Sequence, residues 1–157
     1  MLKTIRRDEF KLMKRILRQY YDHLTKENTD TLISRIFGLH KIIFKRKHTL
    51  KADKKIYFCI MNNVFNTHNK IDKRYDLKGS TRGRTTYFPP DVPRDATVAM
   101  KDLDFLADKT KIKVDRTIKS KLLEVLRKDA DFFAQCNIID YSLLVGIHAL
   151  KERNQVQ

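Results

Sequence analysis

Apolar side chains recur at three- and four-residue spacing over residues 8–24, where Phe10, Met13, Leu17, Tyr20, Tyr21 and Leu24 share one face and Lys11, Lys14, Arg15, Arg18 and Asp22 occupy the others. That period predicts an amphipathic helix. Asp8 is its expected N-cap, since a carboxylate there accepts an orphan backbone N–H. The cluster Asn28-Thr29-Asp30 opens a connection that carries a turn or two of helix through Ile36 and stops at Gly38. Residues 39–44 and 55–61, rich in Ile, Tyr and Phe, read as two strands of a hairpin. The basic stretch Lys45-Arg46-Lys47-His48 and residues 49–54 form its long solvated tip.

A further short strand covers residues 74–77 and closes at Gly79, and residues 80–98, with Pro89, Pro90 and Pro93, read as a loop. A loop of that length inside a compact domain points to function or mobility. Residues 111–114 suggest a short strand. A second helix is predicted over residues 115–133, with Ile118, Leu122, Leu126, Ala130 and Phe133 as its stripe, reinforced by Leu123 and Val125. The stretch 138–148 is mostly apolar yet carries Asp140, and residues 151–157 form a polar, frayed tail. Helices packed on antiparallel-type strands make an α+β fold.

The chain has 157 residues, enough for one core, and no internal repeat or Gly/Ser linker marks a second independent domain. Charged residues make up 34% and the formal net charge is +15. A surface field of that size attracts polyanions, whether nucleic acid, anionic lipid headgroups or nucleotide phosphates, and composition does not choose among them. No zinc-finger spacing or RNP motif supports specific nucleic-acid binding. Two cysteines, Cys59 and Cys136, in no C-x-x-C pair, fit a cytosolic chain and read as small core hydrophobes. The N-terminus lacks the apolar core of a signal peptide, and the run 143–147 is too short to span a bilayer, so any membrane contact is peripheral.

Two places carry candidate chemistry. Asp140 lies among hydrophobic residues, where a bare charge is costly to bury. It is either a connector residue satisfying local backbone N–H groups or a general base or electrostatic anchor at the edge of a site. In Asp76-Leu77-Lys78-Gly79-Ser80, Lys78 offers a mobile cation for a phosphate and Gly79 a close backbone approach, although the glycine spacing is not that of a P-loop. The alternative is a plain surface turn after a strand. Lys3, near the start, reads from position alone as part of a frayed terminus.

The runs Asn62-Asn63-Val64-Phe65, Tyr75-Asp76-Leu77-Lys78-Gly79-Ser80-Thr81, Lys101-Asp102-Leu103-Asp104-Phe105 and 139–148 stand in the order found in the phosphatidylinositol phosphate kinase family, which the chain resembles over nearly its whole length. The segments 31–33 and 38–40 are similar to its N-lobe, and Ile139 stands where many members have methionine, a tolerated hydrophobic exchange. The resemblance implies part of a two-lobed lipid-kinase fold covering residues 1–157, from the ATP-lysine strand through the hinge to the catalytic loop. It implies transfer of phosphate from ATP, with Mg2+, to the inositol ring of a phosphatidylinositol phosphate in an anionic membrane. The expected reaction takes phosphatidylinositol 4-phosphate to the 4,5-bisphosphate, in the cytoplasm and peripherally at the plasma membrane.

Carried over by residue, Lys3 matches the lysine of the ATP phosphates, and Asn62, Asn63 and Val64 lie near the adenine pocket. Asp76, Lys78 and Ser80 belong to the active-site segment, Asp140 is the catalytic-loop aspartate, and Lys78 and Arg84 counter substrate phosphate charge. No residue of the chain is assigned to metal, because the family's magnesium-binding aspartate is expected downstream. Lys3 follows only Met1 and Leu2, and nine residues follow His148. The family's Gly-rich loop and activation segment are therefore expected outside the chain, and little or no turnover is expected of the chain alone. A non-catalytic phosphoinositide-binding module is the competing expectation.

Overall fold

The computed structural model describes residues 1–45, 53–88, 91, 95–109 and 111–149. Residues 46–52 of the hairpin tip, Pro89, Pro90, Pro93 and the tail 151–157 lie outside the described residues. The chain forms two compact units, Met1–Asn63 with Asp115–Ile138, and Val64–Val114 with the described residues from Ile139 onward.

In the first unit, β1 (Leu2–Ile5), β2 (Ile36–Phe44) and β3 (Lys54–Met61) form an antiparallel sheet in the order β1-β3-β2. Cys59 of β3 faces Lys3 on one side and Leu39 on the other, and Tyr57 faces Ile5 and Lys41. Helix α1 (Arg7–Asp22) lays Phe10 against Tyr57, with ring centroids 5.0 Å apart. A single π-helical turn, His23–Glu27, extends α1. Phe132 of helix α3 (Arg116–Gln135) and Cys136, its C-cap, join a core shared with Ile16 and Tyr20 of α1. Tyr20 belongs there because its hydroxyl is satisfied: it donates to the Ser34 carbonyl (2.9 Å) and accepts from the Ile36 N–H (2.8 Å). Both cysteines are buried free thiols, and burial pushes the Cys136 thiol up.

The helical periods of α1 and α3 hold, but their phases differ from expectation. On α1 the inward residues are Leu12, Met13, Ile16 and Tyr20, while Leu17 and Tyr21 are 57% and 56% exposed. On α3 the buried positions are Val125, Asp129 and Phe132, whereas Ile118 and Leu123 face solvent. The α1 N-cap is Arg6 rather than Asp8. The Arg6 backbone N–H donates to Glu9 Oε2 (2.6 Å), and Asp8 sits inside the first turn, where its charge still complements the helix dipole. Asp115 does cap α3, accepting from the Thr117 N–H at 2.8 Å.

The expected helix before Gly38 is absent: residues 28–35 are irregular, and Gly38 lies within β2 at a register shift, where any side chain would collide with the His40 ring. The cause is Asp129. Its carboxylate accepts from His23 Nε2 (2.8 Å), Asn28 Nδ2 (2.8 Å), the Thr31 hydroxyl and the Leu32 N–H (2.9 Å). An acceptor delivered from α3 gives this segment hydrogen bonds that a local helix would otherwise have had to supply. His23 is also stacked on Phe132, with centroids 4.5 Å apart.

In the second unit, β4 (Lys73–Leu77) lies between β5 (Ala99–Met100), parallel to it, and β6 (Leu143–Ile147), antiparallel. Tyr75 at the centre of β4 is fully buried, meets Phe105 edge-on at 5.0 Å and donates its hydroxyl to Asp108 Oδ2 at 2.7 Å. Phe105 comes from α2 (Asp102–Ala107), a helix too short to leave a period in the sequence. Residues 111–114 run without regular structure, contrary to the strand expected there. With both units combining helices and sheets, the fold is α+β.

Candidate active site

The register of β4 on β6 builds the site. Leu77 pairs with Leu143 and Asp76 with Leu144, so the residues after β4 and those before β6 emerge at the same end of the ribbon. There Lys78 Nζ donates to Asp140 Oδ1, joining residues 62 positions apart. Asp140 adopts φ +62°, a left-handed conformation that aspartate tolerates better than most residues. Its side chain is 76% exposed and that of Lys78 27%. The apolar run around Asp140 does not bury it, since Ile139 and Tyr141 are exposed as well.

Behind this pair, Arg84 and Asp102 hold the loop. The Arg84 guanidinium donates from Nε to Asp102 Oδ2 (2.7 Å) and from Nη2 to both the carbonyl and the carboxylate of Asp76, the latter at 3.1 Å. Asp102 Oδ1 accepts the backbone N–H groups of Lys78 (3.0 Å) and Gly79 (2.8 Å). The next turn is tied down similarly, since Asp104 Oδ2 accepts from the N–H groups of Thr86 and Lys101, both at 2.9 Å.

The N–H groups of Lys78 and Gly79 are directed at an internal carboxylate, and a Cβ on Gly79 would meet nothing within 4 Å. Glycine suits this position through its φ of +69°. What the turn presents outward is the Lys78 side chain and the exposed Ser80.

Burial acts to raise the Asp102 pKa, but hydrogen bonds from Arg84, then from Lys78 and Gly79, outweigh it and lower the carboxyl from 3.8 to about 2. The same contact with Asp102 raises the Arg84 pKa. Because the folded-state value lies below the unfolded one, the stabilisation is complete above 3.8 and is lost as pH falls through about 2. In denaturant titrations, the stability difference between wild type and Asp102→Asn is therefore expected to be constant above pH 4 and to shrink toward pH 2. A difference unchanged down to pH 2 would contradict this.

Beside the cluster, Val64, Phe65, Thr67, Asn69, Leu144 and His148 line a groove of about 290 Å³. Leu144 is the partner of Asp76 across the ribbon, so groove and cluster share β6. Gly146 lets Phe65 and Ile71 close against the strand, since a Cβ there would lie 3.2 Å from the Phe65 ring. The remaining predicted positions belong to the first unit. Lys3 is exposed on β1, and Asn63 is exposed after β3. Asn62 is tied to Arg35, whose N–H it accepts at 2.9 Å and to whose carbonyl it donates at 3.0 Å. Among the described residues, no group of three or more His, Cys, Asp or Glu is placed to hold a metal ion, and no helix is long and apolar enough to cross a membrane.

Chemically, an ammonium held on an exposed carboxylate is an exchangeable pair. A phosphate oxygen can replace the carboxylate as the lysine's partner, leaving the carboxylate to accept a proton. The structure brings Asp76, Lys78, Arg84 and Asp140 together and adds Asp102, to which sequence reasoning gave no role.

Comparison with known proteins places this ribbon in a family. Residues 1–157 match the family described as Phosphatidylinositol-4-phosphate 5-Kinase. A phosphatidylinositol 4-phosphate 5-kinase of Plasmodium falciparum is 42% identical over 147 residues, covering 94% of this chain and 8% of that protein. Phosphatidylinositol 4-phosphate 5-kinase 7 of Arabidopsis thaliana is 38% identical over 147 residues, covering 94% of this chain and 18% of that protein. Phosphatidylinositol 4-phosphate 5-kinase its3 of Schizosaccharomyces pombe is 36% identical over 155 residues, covering 98% and 20%. The chain belongs to the phosphatidylinositol phosphate kinase family. It spans between 8% and 20% of the length of these relatives.

Proposed function

We propose that the protein carrying this chain transfers the terminal phosphoryl group of ATP to a ring hydroxyl of a phosphatidylinositol phosphate, converting phosphatidylinositol 4-phosphate to the 4,5-bisphosphate. The observation that carries this reading is the Lys78–Asp140 pair at the open end of the β4–β6 ribbon. Asp140 orients the attacking hydroxyl and takes its proton as the new P–O bond forms and the bond to ADP breaks. Lys78 moves from Asp140 to phosphate oxygens, countering the charge that spreads over them in the transition state. Asp76 and Arg84 keep that end of β4 in place, Arg84 with its remaining guanidinium donors turned to substrate phosphate, and Ser80 offers a hydroxyl to the same phosphate.

Lys3 is assigned to the nucleotide phosphates, and Asn62, Asn63 and Val64 to the base. Magnesium, when bound, neutralises charge between the transferring and leaving phosphates. No residue of this chain is assigned to it. The net charge of +15 suits a protein working in the cytoplasm against the anionic leaflet of the plasma membrane.

Incubating the full-length protein with labelled ATP, magnesium and vesicles containing phosphatidylinositol 4-phosphate is expected to place label in a phosphatidylinositol bisphosphate. Vesicle binding that follows anionic lipid content, with no label transferred, would replace this reading with a non-catalytic phosphoinositide-binding module.

A further inference from the structure

Lys78 follows the last residue of β4 and leads into a loop that runs from Gly79 to Thr86 without helix or strand. A lysine at such a place ordinarily wanders, because its four-carbon stem and its backbone are both free. Here the backbone is not free. Two consecutive N–H groups, of Lys78 and Gly79, converge on one oxygen of Asp102, and the other oxygen takes Arg84 Nε. Consecutive N–H groups beside a positive-φ residue form a concavity that suits an anion. In this protein the anion is built in, since Asp102 is buried at the first position of α2. Helix α2 is itself anchored, through Phe105, to the fully buried Tyr75 of β4.

From this geometry we infer that Asp102 is the positioning residue of the site: it fixes the backbone from which Lys78 reaches Asp140, and through Arg84 it fixes Asp76. The inference rests on the phosphoryl-transfer reading above for its kinetic consequence, though not for its structural one. The carboxylate is needed in full. Asparagine has the same shape but only one acceptor oxygen. If that oxygen serves the two N–H groups, an NH2 faces Arg84, and if it serves Arg84, the NH2 faces the two N–H groups. Either way a donor meets a donor, and the Lys78 turn loosens while the strand core at Tyr75 stays packed. A displacement near 1 Å at a reacting group costs on the order of 100-fold in rate.

The test is Asp102→Asn in the full-length protein, alone and combined with Lys78→Arg. Alone, it is expected to lower kcat roughly 10- to 100-fold, with KM for ATP changed by less than about twofold. In the Lys78→Arg background the further loss is expected to shrink to about twofold or less, because the group being positioned has already been replaced. An equal further loss in both backgrounds, or no loss in either, overturns the inference. A second readout does not depend on turnover. Hydrogen exchange of the Lys78 and Gly79 amides is expected to accelerate at least about tenfold in Asp102→Asn, while amides of α1 and α3 keep their rates. Unchanged exchange at Lys78 and Gly79 also overturns it. Should wild type and Lys78→Arg both fail to transfer phosphate while exchange accelerates as expected, the phosphoryl-transfer reading falls and the positioning role of Asp102 stands.

Discussion

Exchanging Asp140 for asparagine is expected to cut phosphate transfer by the full-length protein roughly a thousandfold, within the range that a positioned proton acceptor contributes, while leaving the fold intact. Two observations separate those effects. The Asp140 side chain is 76% exposed, so its removal empties no core space, and its pair with Lys78 is open to solvent. Such pairs contribute about 0–1 kcal/mol to stability. Asparagine also accepts the left-handed backbone at φ +62°, so the substitution introduces no strain of the kind alanine would. What it removes is the ability to take a proton and the charge that holds Lys78 in waiting. Label incorporation and thermal unfolding measured on the same preparation check both halves. A loss of transfer accompanied by an equal loss of folded protein would show that Asp140 acts through the fold instead.

The second large effect lies away from the site. Asp129→Ala is expected to destabilise the first unit by about 3–5 kcal/mol, the scale for removing one partner of a buried charged network. Asp129 is 5% exposed and serves four donors: His23 in the π-helical turn, and the Asn28 and Thr31 side chains and the Leu32 backbone N–H in the irregular segment. Asn28 keeps one further acceptor, the Val125 carbonyl at 3.1 Å, but the Leu32 N–H and His23 Nε2 lose the bonds described here. Alanine thus takes an acceptor from the buried His23 and Asn28 side chains and from the part-buried Thr31 hydroxyl and Leu32 N–H, an unsatisfied buried donor costing about 1–3 kcal/mol in principle, with relaxation and water entry reducing the sum. Asp129→Asn retains an acceptor oxygen and is expected to lose less than half as much. Urea unfolding followed by circular dichroism measures both, and a loss below 1 kcal/mol for the alanine variant would contradict the network's importance.

The contrast between these two aspartates explains what the sequence reveals and what it conceals. Asp140 stands in an apolar run and looks buried, yet Ile139 and Tyr141 beside it face solvent. Asp129 stands among charged neighbours on α3 and looks like part of a solvated face, yet it is the buried one. A local pattern records the polarity of neighbours in the chain, whereas burial of a carboxylate is decided by donors brought from elsewhere, here from residues about 100 positions away. Helices α1 and α3 and the β2–β3 hairpin were legible because their periods are local. The phase of α1 was not, because Leu17 and Tyr21 supply apolar side chains on a second face. Lys78 and Asp140 stood out in the sequence through their motifs, and the β4–β6 register accounts for their meeting. Asp102 was concealed for a different reason: its donors include the backbone N–H groups of Lys78 and Gly79, which carry no residue signature.

The most direct measurement is a crystal structure of the full-length protein with a non-hydrolysable ATP analogue and the inositol 1,4-bisphosphate headgroup. The expected result is a ring hydroxyl within hydrogen-bond reach of the Asp140 carboxylate, about 2.6–3.2 Å, with Lys78 Nζ transferred from Asp140 to a phosphate oxygen. A headgroup bound with its hydroxyls remote from Asp140, and Lys78 still held on that carboxylate, would contradict the assignment of this pair as the reaction centre.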